Sequence, residues 1–381
     1  MRRCVAILVL LPATLLAADL DVRSFGAKPD DGLDDTAAIQ RALDAAAIRQ
    51  VVRLPPGTIE ISETLNPHDG QIVQGSTQLR WDGDHVVADT PTILKATQEV
   101  FVFSFHGAGL QLRNLSFQGR ALYADRPNDE MVKAVVVDNC WIDLQLKTDD
   151  HSNAFELNTG LQDSQITNCV FDPIKADNAI YGYNWSNFTI AFNQFKNGNE
   201  GIHLIAHRKD AKDLLIEQNY FSGLHRMGVE IQGNGHNTVV QDNYYENPVM
   251  TSRFDDNNDT FAYSIISDAS VGTRVRRNTS FAPQRPDGKG VRIIFELGGT
   301  DVICEDNYSR MGNHVAILNT SKFGKIINNR FSGYLEGPSA YPGRAIDAKI
   351  DNNTPYVPLT WDVNRGKPGP NKKLPTTRSA E

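Results

Sequence analysis

The stretch "IEQNYF", residues 216–221, is one copy of a pattern that recurs along most of the chain. Most copies place an apolar residue two or three positions before an asparagine, and an aromatic or apolar residue soon after it. The asparagines of the successive copies are Asn114, Asn139, Asn168, Asn193, Asn219, Asn243, Asn278, Asn307 and Asn329. Neighbouring copies are 22 to 35 residues apart, and a period of this size indicates a stacked repeat architecture.

The repeat unit is rich in β-branched and aromatic residues and is interrupted by glycine and asparagine, which are strand and turn signals. A helical repeat would instead space its apolar residues at a period of 3.6. We therefore predict an all-β fold, a single-stranded right-handed parallel β-helix, with coils stacked about 4.8 Å apart. We expect the asparagines to form a ladder of hydrogen bonds within one turn, where asparagine also tolerates a left-handed backbone.

The amino terminus has the pattern of a secretory signal. Arg2 and Arg3 precede the apolar run "VAILVLLPATLLAA", which ends before Asp19. The run is too short for a bilayer span, and Pro12 interrupts it. We predict a signal peptide at 1–18, a β-helix domain at 19–354 and an irregular tail rich in proline and lysine at 355–381. The protein would be secreted or periplasmic, with no membrane attachment after cleavage.

The charge of the chain argues against nucleic acid as a partner. The formal net charge is -8, and loss of Arg2 and Arg3 with the signal would make it -10. Nucleic-acid-binding proteins present a basic surface instead. We expect a monomer whose partner is a polysaccharide.

Residues 21–46, "DVRSFGAKPDDGLDDTAAIQRALDAA", carry a more specific pattern. Its parts are Phe25-Gly26-Ala27, Asp31-Gly32, Asp34-Asp35-Thr36 and Ala38-Ile39-Gln40, followed by "LPPGTIEIS" at 54–62. This opening resembles the pectate-lyase-like right-handed parallel β-helix superfamily, in the branch with rhamnogalacturonase, polysaccharide-lyase and epimerase-like domains. The resemblance covers about the first 80 residues and implies the fold. It does not fix the reaction, because the superfamily hosts hydrolases, lyases, epimerases and phage tailspikes.

The same segment predicts a short helix over 36–47. Asp34 or Asp35 can cap it, and Ile39 and Leu43 share one face. Such a helix would cover the open end of the β-helix and protect its strand edges.

Candidate chemistry lies in one column of the repeat. The segments "AFELN", "AIYGY", "GIHLI", "GVEIQ" and "IFELG" place polar residues between apolar ones. Since side chains alternate along a strand, the column should point outward. Its predicted members are Glu156, Tyr181, His203, Glu230, Ser264 or Ile265, Glu296 and Ala316.

We predict catalytic roles for Tyr181, His203, Arg226 and Glu230. The predicted substrate-binding residues are Glu156, Lys175, Asp177, His225, Arg253 and Glu296.

Two reaction types fit these residues. A lyase needs a base, an acid and a group that neutralises a uronic-acid carboxylate, and Tyr181, His203 and Arg226 could supply them. A glycoside hydrolase needs two carboxylates, which could be Glu230 with Glu296 or with Asp177. We favour the lyase. The alternative from another class is a non-catalytic glycan-binding or tailspike-like surface protein.

We expect no cofactor or metal. The run "DDNND" at 255–259 offers oxygen ligands for calcium but lacks the spacing of a known calcium loop. Cys140 and Cys169 occupy equivalent positions in adjacent repeats, and we predict two packed thiols rather than a disulfide. Cys304 replaces an aliphatic residue of the repeat and should lie in the core.

Overall fold

The computed structural model describes most of the repeat region. The described residues are 18–82, 85–144, 152–174, 177–246, 263–267, 270–281, 293–310, 315–319, 321, 323–331, 334–336, 349–351 and 354–355. The predicted signal peptide, except Ala18, and the predicted tail, except Pro355, lie outside the described residues. Within the described ranges, no helix has the length and apolarity needed to span a bilayer.

The chain winds through three long parallel sheets, here named sheets A, B and C, and from the strand Ile72–Gln74 onward it visits them in that order. The main strands of sheet A are Leu20–Asp21, Val51–Arg53, Ile72–Gln74, Gln111–Arg113, Val136–Asp138, Leu161–Thr167, Trp185–Ala191, Lys212–Glu217, Val239–Gln241, Arg274–Arg276, Ile303–Glu305, Lys325–Ile327 and Lys349–Asp351. A short strand, Val132–Lys133, also pairs with Leu161–Thr167.

Sheets B and C complete each coil. Sheet B contains Gly57–Ile61, Thr92–Ala96, Ser116–Gln118, Trp141–Leu144, Val170–Ile174, Gln194–Lys196, Tyr220–Ser222, Tyr244–Glu246, Thr279–Phe281, Tyr308–Arg310, Arg330–Phe331 and Thr354–Pro355. Sheet C contains Phe101–Phe105, Arg120–Ala124, Asn153–Leu157, Asn178–Tyr183, Glu200–Ala206, Met227–Gly233, Tyr263–Ser267, Ile293–Leu297, Val315–Asn319 and Tyr334–Glu336. An antiparallel hairpin, Gln78–Asp82 with His85–Asp89, stands apart from the three sheets. The predicted parallel β-helix is confirmed.

One α-helix, α1 (Thr36–Ala45), lies at the amino-terminal end, as predicted. Ile39 and Leu43 are fully buried in the core. The side chain of Asp34, rather than that of Asp35, accepts a hydrogen bond from the Thr36 backbone N–H at 3.1 Å. The helix therefore has the amphipathic face that a cap over the first coils needs.

The interior of the solenoid is a set of stacked apolar columns. Phe171, Phe195, Phe221 and Tyr245 lie on successive coils of sheet B, with neighbouring ring centroids 4.7 to 4.9 Å apart. Rings of similar size can pack closely at this spacing, and stacked pairs add to the stability that burial provides.

The turn between sheets A and B uses two adjacent columns with different tasks. The first has positive φ, between 52° and 60°, and contains Asn114, Asn139, Asn168, Phe192, Gln218, Asp242, Arg277, Asp306 and Asn328. The second points inward and contains Leu115, Cys140, Cys169, Asn193, Asn219, Asn243, Asn278, Asn307 and Asn329.

The buried asparagines form the predicted ladder from Asn193 onward. Asn219 Oδ1 accepts from the Asn193 backbone N–H at 3.0 Å and from Asn193 Nδ2 at 3.1 Å. Asn219 Nδ2 donates in turn to Asn243 Oδ1 at 3.0 Å and to the Ile190 carbonyl at 2.9 Å. The same bonds continue through Asn278 and Asn307 to Asn329.

The prediction of one stack of nine asparagines is wrong for the first three. Asn114, Asn139 and Asn168 lie in the left-handed column, one residue before the ladder. The prediction that the ladder residues themselves adopt the left-handed backbone is also wrong, because the residue before each of them does. Asparagine suits the first column because it tolerates a left-handed backbone, and the second because its amide can form the hydrogen-bond ladder. The sequence pattern therefore leaves the position of each asparagine in the turn uncertain by one residue.

The cysteines behave as predicted. Cys140 and Cys169 are free, fully buried and at matching positions of adjacent coils. Cys304 is also free and buried, between Val275 and Ile326 in sheet A.

Candidate functional site

The outer face of sheet C carries the polar column that the sequence predicts. Glu156, Tyr181, His203 and Glu230 are register partners on four successive coils. The neighbours of Glu230 along its strand, Val229 and Ile231, are fully buried in the core.

Beyond Glu230 the register differs from the prediction at two positions. The column continues through Ile266, Glu296 and Leu318, rather than through Ser264 or Ile265 and Ala316. Ile265 is instead the register partner of Val229. Because a long insertion follows Glu246, the sequence does not show at which residue the next strand of sheet C begins. Alternation alone therefore cannot determine this register. Glu296 keeps its predicted place, two coils beyond Glu230 in the backbone register.

His203 lies between two buried carboxylates. Its Nδ1 is 3.1 Å from Glu200 Oε2 and 3.7 Å from Glu230 Oε2. The side chains of Glu200 and Glu230 are only 2% and 3% exposed, and that of His203 is 14% exposed. Burying carboxylates in this way is costly unless opposite charges or hydrogen bonds compensate.

Two further side chains compensate the carboxylates. Arg226 Nη1 donates to Glu200 Oε1, while 43% of the Arg226 side chain remains exposed. Gln232 Nε2 donates to Glu230 Oε1. Burial raises the pKa of Glu230, and the Glu200 charge raises it further, while the charges of His203 and Arg226 act in the opposite direction. His203 Nε2 is covered and has no hydrogen-bond partner among the described residues.

A small residue next to Glu200 allows close packing of the backbone beside this cluster. Gly201 follows Glu200, and a Cβ there would lie 2.6 Å from the Gly228 carbonyl oxygen and 2.8 Å from the Phe221 ring. The equivalent residues of the two preceding coils are alanines, Ala154 and Ala179. The backbone at Gly201 therefore passes closer to its neighbours than any side chain would allow.

An aromatic group borders the cluster on the side of the preceding coil. The Tyr181 ring packs edge-on against the His203 ring, with centroids 5.3 Å apart. Its hydroxyl lies 2.8 Å from that of Tyr183, whose ring stacks on His207. Burial raises the pKa of Tyr181 well above its usual value, and the Tyr183 hydroxyl and nearby carboxylates add to the effect. Tyr181 therefore stays protonated at neutral pH.

Glu156 is in the same column but has its own counter-ion. Arg120 Nη2 donates to Glu156 Oε2 at 2.8 Å, and Arg120 Cζ lies 3.7 Å above the Phe101 ring centroid. Burial lowers the pKa of Arg120. This pair is two coils from His203 and is separated from it by Tyr181.

The remaining predicted residues lie in turns or are described only in part or not at all. Asp177 lies in the turn before the Tyr181 strand, where its carbonyl accepts from the Glu200 backbone N–H at 2.9 Å. His225 lies in the turn before the Glu230 strand, where its backbone N–H donates to the Gly198 carbonyl at 2.8 Å. Lys175, Arg253 and the 255–259 run lie outside the described residues, and only the backbone position of Glu296 is described.

Sequence reasoning missed Glu200, Tyr183 and Gln232. Glu200 stands one residue before the segment "GIHLI", where earlier coils have Asn153 and Asn178. The usable signal was this comparison between coils, in which a charge replaces two amides. Tyr183 and Gln232 lie two residues after column members, so alternation places them on the same outer face.

Three groups of the cluster could hold a cation. Glu200, His203 and Glu230 each offer one ligand atom, and these atoms lie within 4.8 Å of one another. The histidine nitrogen makes the set unlike the all-oxygen sites that calcium prefers. Arg226 already supplies one positive charge to the same carboxylates, and an imidazolium at His203 would supply a second.

Comparison with known proteins places the chain in a family. A family model described as "Rhamnogalacturonase A/epimerase, pectate lyase-like" matches residues 20–274. The chain belongs to this family. The resemblance seen at the amino terminus is thereby confirmed and extends over most of the β-helix. A search of curated protein sequences returned no match.

Solved structures share the fold of this pectate lyase-like chain at low sequence identity. PfbA, a surface adhesin of Streptococcus pneumoniae, is 16% identical over 91% of this chain and 97% of its own, with a TM-score of 0.56. A PL6 alginate lyase in complex with a trisaccharide is 10% identical over 88% of this chain and 85% of its own, with a TM-score of 0.52. A family 28 exopolygalacturonase of Yersinia enterocolitica is 12% identical over 90% and 79%, with a TM-score of 0.49. The fold is thus shared with both an alginate lyase and an adhesin.

Proposed function

We propose that this protein is an exported lyase that cleaves a uronic-acid-containing polysaccharide by β-elimination on the outer face of sheet C. The proposal is carried by one observation: the Tyr181 and His203 rings are in contact, and His203 and Arg226 both contact the buried carboxylate of Glu200. Membership of the pectate lyase-like family supports a glycan as the substrate.

Each of the three side chains suits one requirement of the reaction. The exposed part of the Arg226 guanidinium can bind a uronic-acid carboxylate, which makes the adjacent C–H bond more acidic. His203, whose side chain is 14% exposed, takes that proton as general base. Tyr181, held protonated, gives its proton to the departing glycosidic oxygen as general acid.

The step balances without a further reagent. The C–H bond beside the carboxylate and the C–O bond to the leaving sugar break, and a carbon–carbon double bond forms between those two carbons. One proton goes to His203 and another leaves Tyr181. Because the two rings are in contact, a proton returned from His203 to Tyr181, directly or through water, restores both groups.

The depth of the carboxylates argues against the hydrolase alternative at this cluster. An inverting hydrolase places a water between two accessible carboxylates, and a retaining one places the sugar there. Glu200 and Glu230 are almost fully buried and both face His203, so neither a sugar nor an attacking water has room between them.

The test is a panel of uronic-acid polysaccharides, including alginate and polygalacturonate, assayed for ultraviolet absorbance of unsaturated ends and for new reducing ends. We expect both signals together from the parent, and a loss of about 10²–10⁴-fold in Tyr181→Phe and His203→Ala. Tyr244→Phe on sheet B and the exposed His68→Ala are matched controls that should retain parental rates. Reducing ends without absorbance would mean hydrolysis, and binding without either signal would mean a non-catalytic glycan-binding protein.

A further inference from the structure

Glu200 is a buried carboxylate that joins two members of the proposed site. Its Oε1 accepts a hydrogen bond from Arg226 Nη1, and its Oε2 lies 3.1 Å from His203 Nδ1, an ion-pair contact without hydrogen-bond alignment. It comes from the coil of His203 itself, three residues earlier, whereas Arg226 comes from the next coil. One side chain therefore links the imidazole and the guanidinium.

The fold does not require a charge at this position. The register partners of Glu200 are Asn153 and Asn178 on the two preceding coils and Met227 on the following one. The two amides pair with each other, with Asn178 Nδ2 donating to Asn153 Oδ1 at 2.8 Å. An amide or an apolar side chain thus serves the stack at the other coils, and the carboxylate at Glu200 carries a desolvation cost that they avoid.

Glu230 does not duplicate this link. Its nearer oxygen is 3.7 Å from His203 Nδ1, beyond hydrogen-bond distance, and its other oxygen accepts from Gln232. The contact of Arg226 is with Glu200. Glu200 is therefore the closer partner of both groups.

We propose that Glu200 is the positioning residue of the site, which holds His203 with its Nδ1 proton towards the carboxylate and holds Arg226 at the edge of the groove. The role of Glu200 in catalysis rests on the proposed function. Its orientation of His203 and Arg226 does not. A carboxylate facing one imidazole nitrogen fixes the tautomer, so that the other nitrogen, Nε2, is the one free to accept a proton. A guanidinium anchored through one nitrogen keeps its remaining N–H groups for a ligand.

The first test needs no substrate. Histidines are labelled with nitrogen-15, the signals of His203 are assigned by their loss in His203→Ala, and the ring-nitrogen shifts report which nitrogen carries the proton. We expect a proton on Nδ1 and none on Nε2 in the parent at a pH where the ring is neutral. Glu200→Gln should shift the population towards the Nε2–H tautomer, because its amide can also donate to Nδ1. The matched variant Glu156→Gln, two coils away, should leave the His203 signals unchanged.

The second test uses a polysaccharide that the parent cleaves. Glu200→Gln should lower kcat by about 10–100-fold, the usual effect of removing a partner that orients a functional histidine, with a folded far-ultraviolet spectrum. If Glu200→Gln kept the parental tautomer signals but lost activity, the positioning role would be wrong. An Nε2–H tautomer in the parent would also contradict it. This second result can be obtained even if the variant fails to fold. Elemental analysis provides a third arm: one divalent ion per parent chain, lost in Glu200→Gln, would make Glu200 a metal ligand and contradict the proposal. If the tautomer result holds but no polysaccharide is cleaved, the proposed function fails and the positioning of His203 stands.

Discussion

At the scale of single residues, Glu230 shows how much of a side chain's environment can be predicted from the sequence. Alternation predicted that Glu230 belongs to the outer face, and its register with His203 agrees. Alternation did not predict that its side chain would be 3% exposed, because burial on an outer face depends on contacts with side chains of the neighbouring coil, such as His203. Sequence therefore identifies the column but not the depth of its members.

The raised pKa of Glu230 has a consequence for stability. A carboxyl whose pKa is higher in the folded than in the unfolded chain stabilises the fold fully below the unfolded value, near 4.5, and loses that contribution as pH rises through the folded value. Glu230→Gln lacks this loss, so its melting temperature relative to the parent should rise as pH increases from 4.5 towards neutrality. Thermal unfolding followed by circular dichroism at several pH values measures this difference. The exposed Glu63→Gln is the control, and the same trend in both variants would remove burial as the cause.

At the scale of elements, the turn between sheets A and B determines how the coils stack. The repeat predicted this turn and its hydrogen-bond ladder, but it did not separate the left-handed column from the buried one, since asparagine occurs in both. Only the pairing of Cys169 with Asn193 resolves the shift. The helix α1 was easier to predict, because its cap and its apolar face lie within ten consecutive residues.

The ladder makes a prediction about Asn219. Asn219→Ala should lower the free energy of unfolding by about 1–3 kcal/mol, because Asn193 and Asn243 each lose a buried hydrogen-bond partner. Chemical denaturation with a tryptophan fluorescence signal measures the change. The exposed Asn234→Ala should stay within about 0.5 kcal/mol of the parent. A loss of turnover in a fully folded Asn219→Ala would contradict a purely structural ladder.

The capping helix makes a second prediction at this scale. Leu43→Ala should cost about 2–5 kcal/mol of unfolding free energy, because Leu43 is fully buried in the core cluster. Leu33→Ala removes the same atoms from a residue that is 66% exposed, so it should have little effect. Equal changes in the two variants would mean that α1 does not seal the solenoid.

At the scale of the whole molecule, the solenoid converts a sequence period into a row of side chains about 4.8 Å apart. The repeat and the amino-terminal motif were sufficient to predict the fold and the family, because both depend on patterns that recur or are contiguous. The candidate site was predicted only in outline. The sequence predicted that one site contains Tyr181, His203, Arg226 and Glu230, and the structure places them on neighbouring coils. The sequence did not predict Glu200, because the role of Glu200 depends on contacts between two coils.

The proposed chemistry belongs to this scale because it draws on three coils at once. Tyr181 is on one coil, His203 and Glu200 are on the next, and Arg226 and Glu230 are on the third. A polysaccharide lying along sheet C would meet the general acid, the base and the carboxylate-binding group in that order.

The most direct test of the central claim is cleavage of a uronic-acid polysaccharide in heavy-oxygen water, followed by mass spectrometry of the products. Elimination breaks the glycosidic bond without adding water. We therefore expect the new non-reducing ends to be unsaturated and no heavy oxygen to enter a product through bond cleavage, after correction for exchange at free reducing ends. Heavy oxygen built into each cleaved bond, with no unsaturated end, would show hydrolysis and contradict the account.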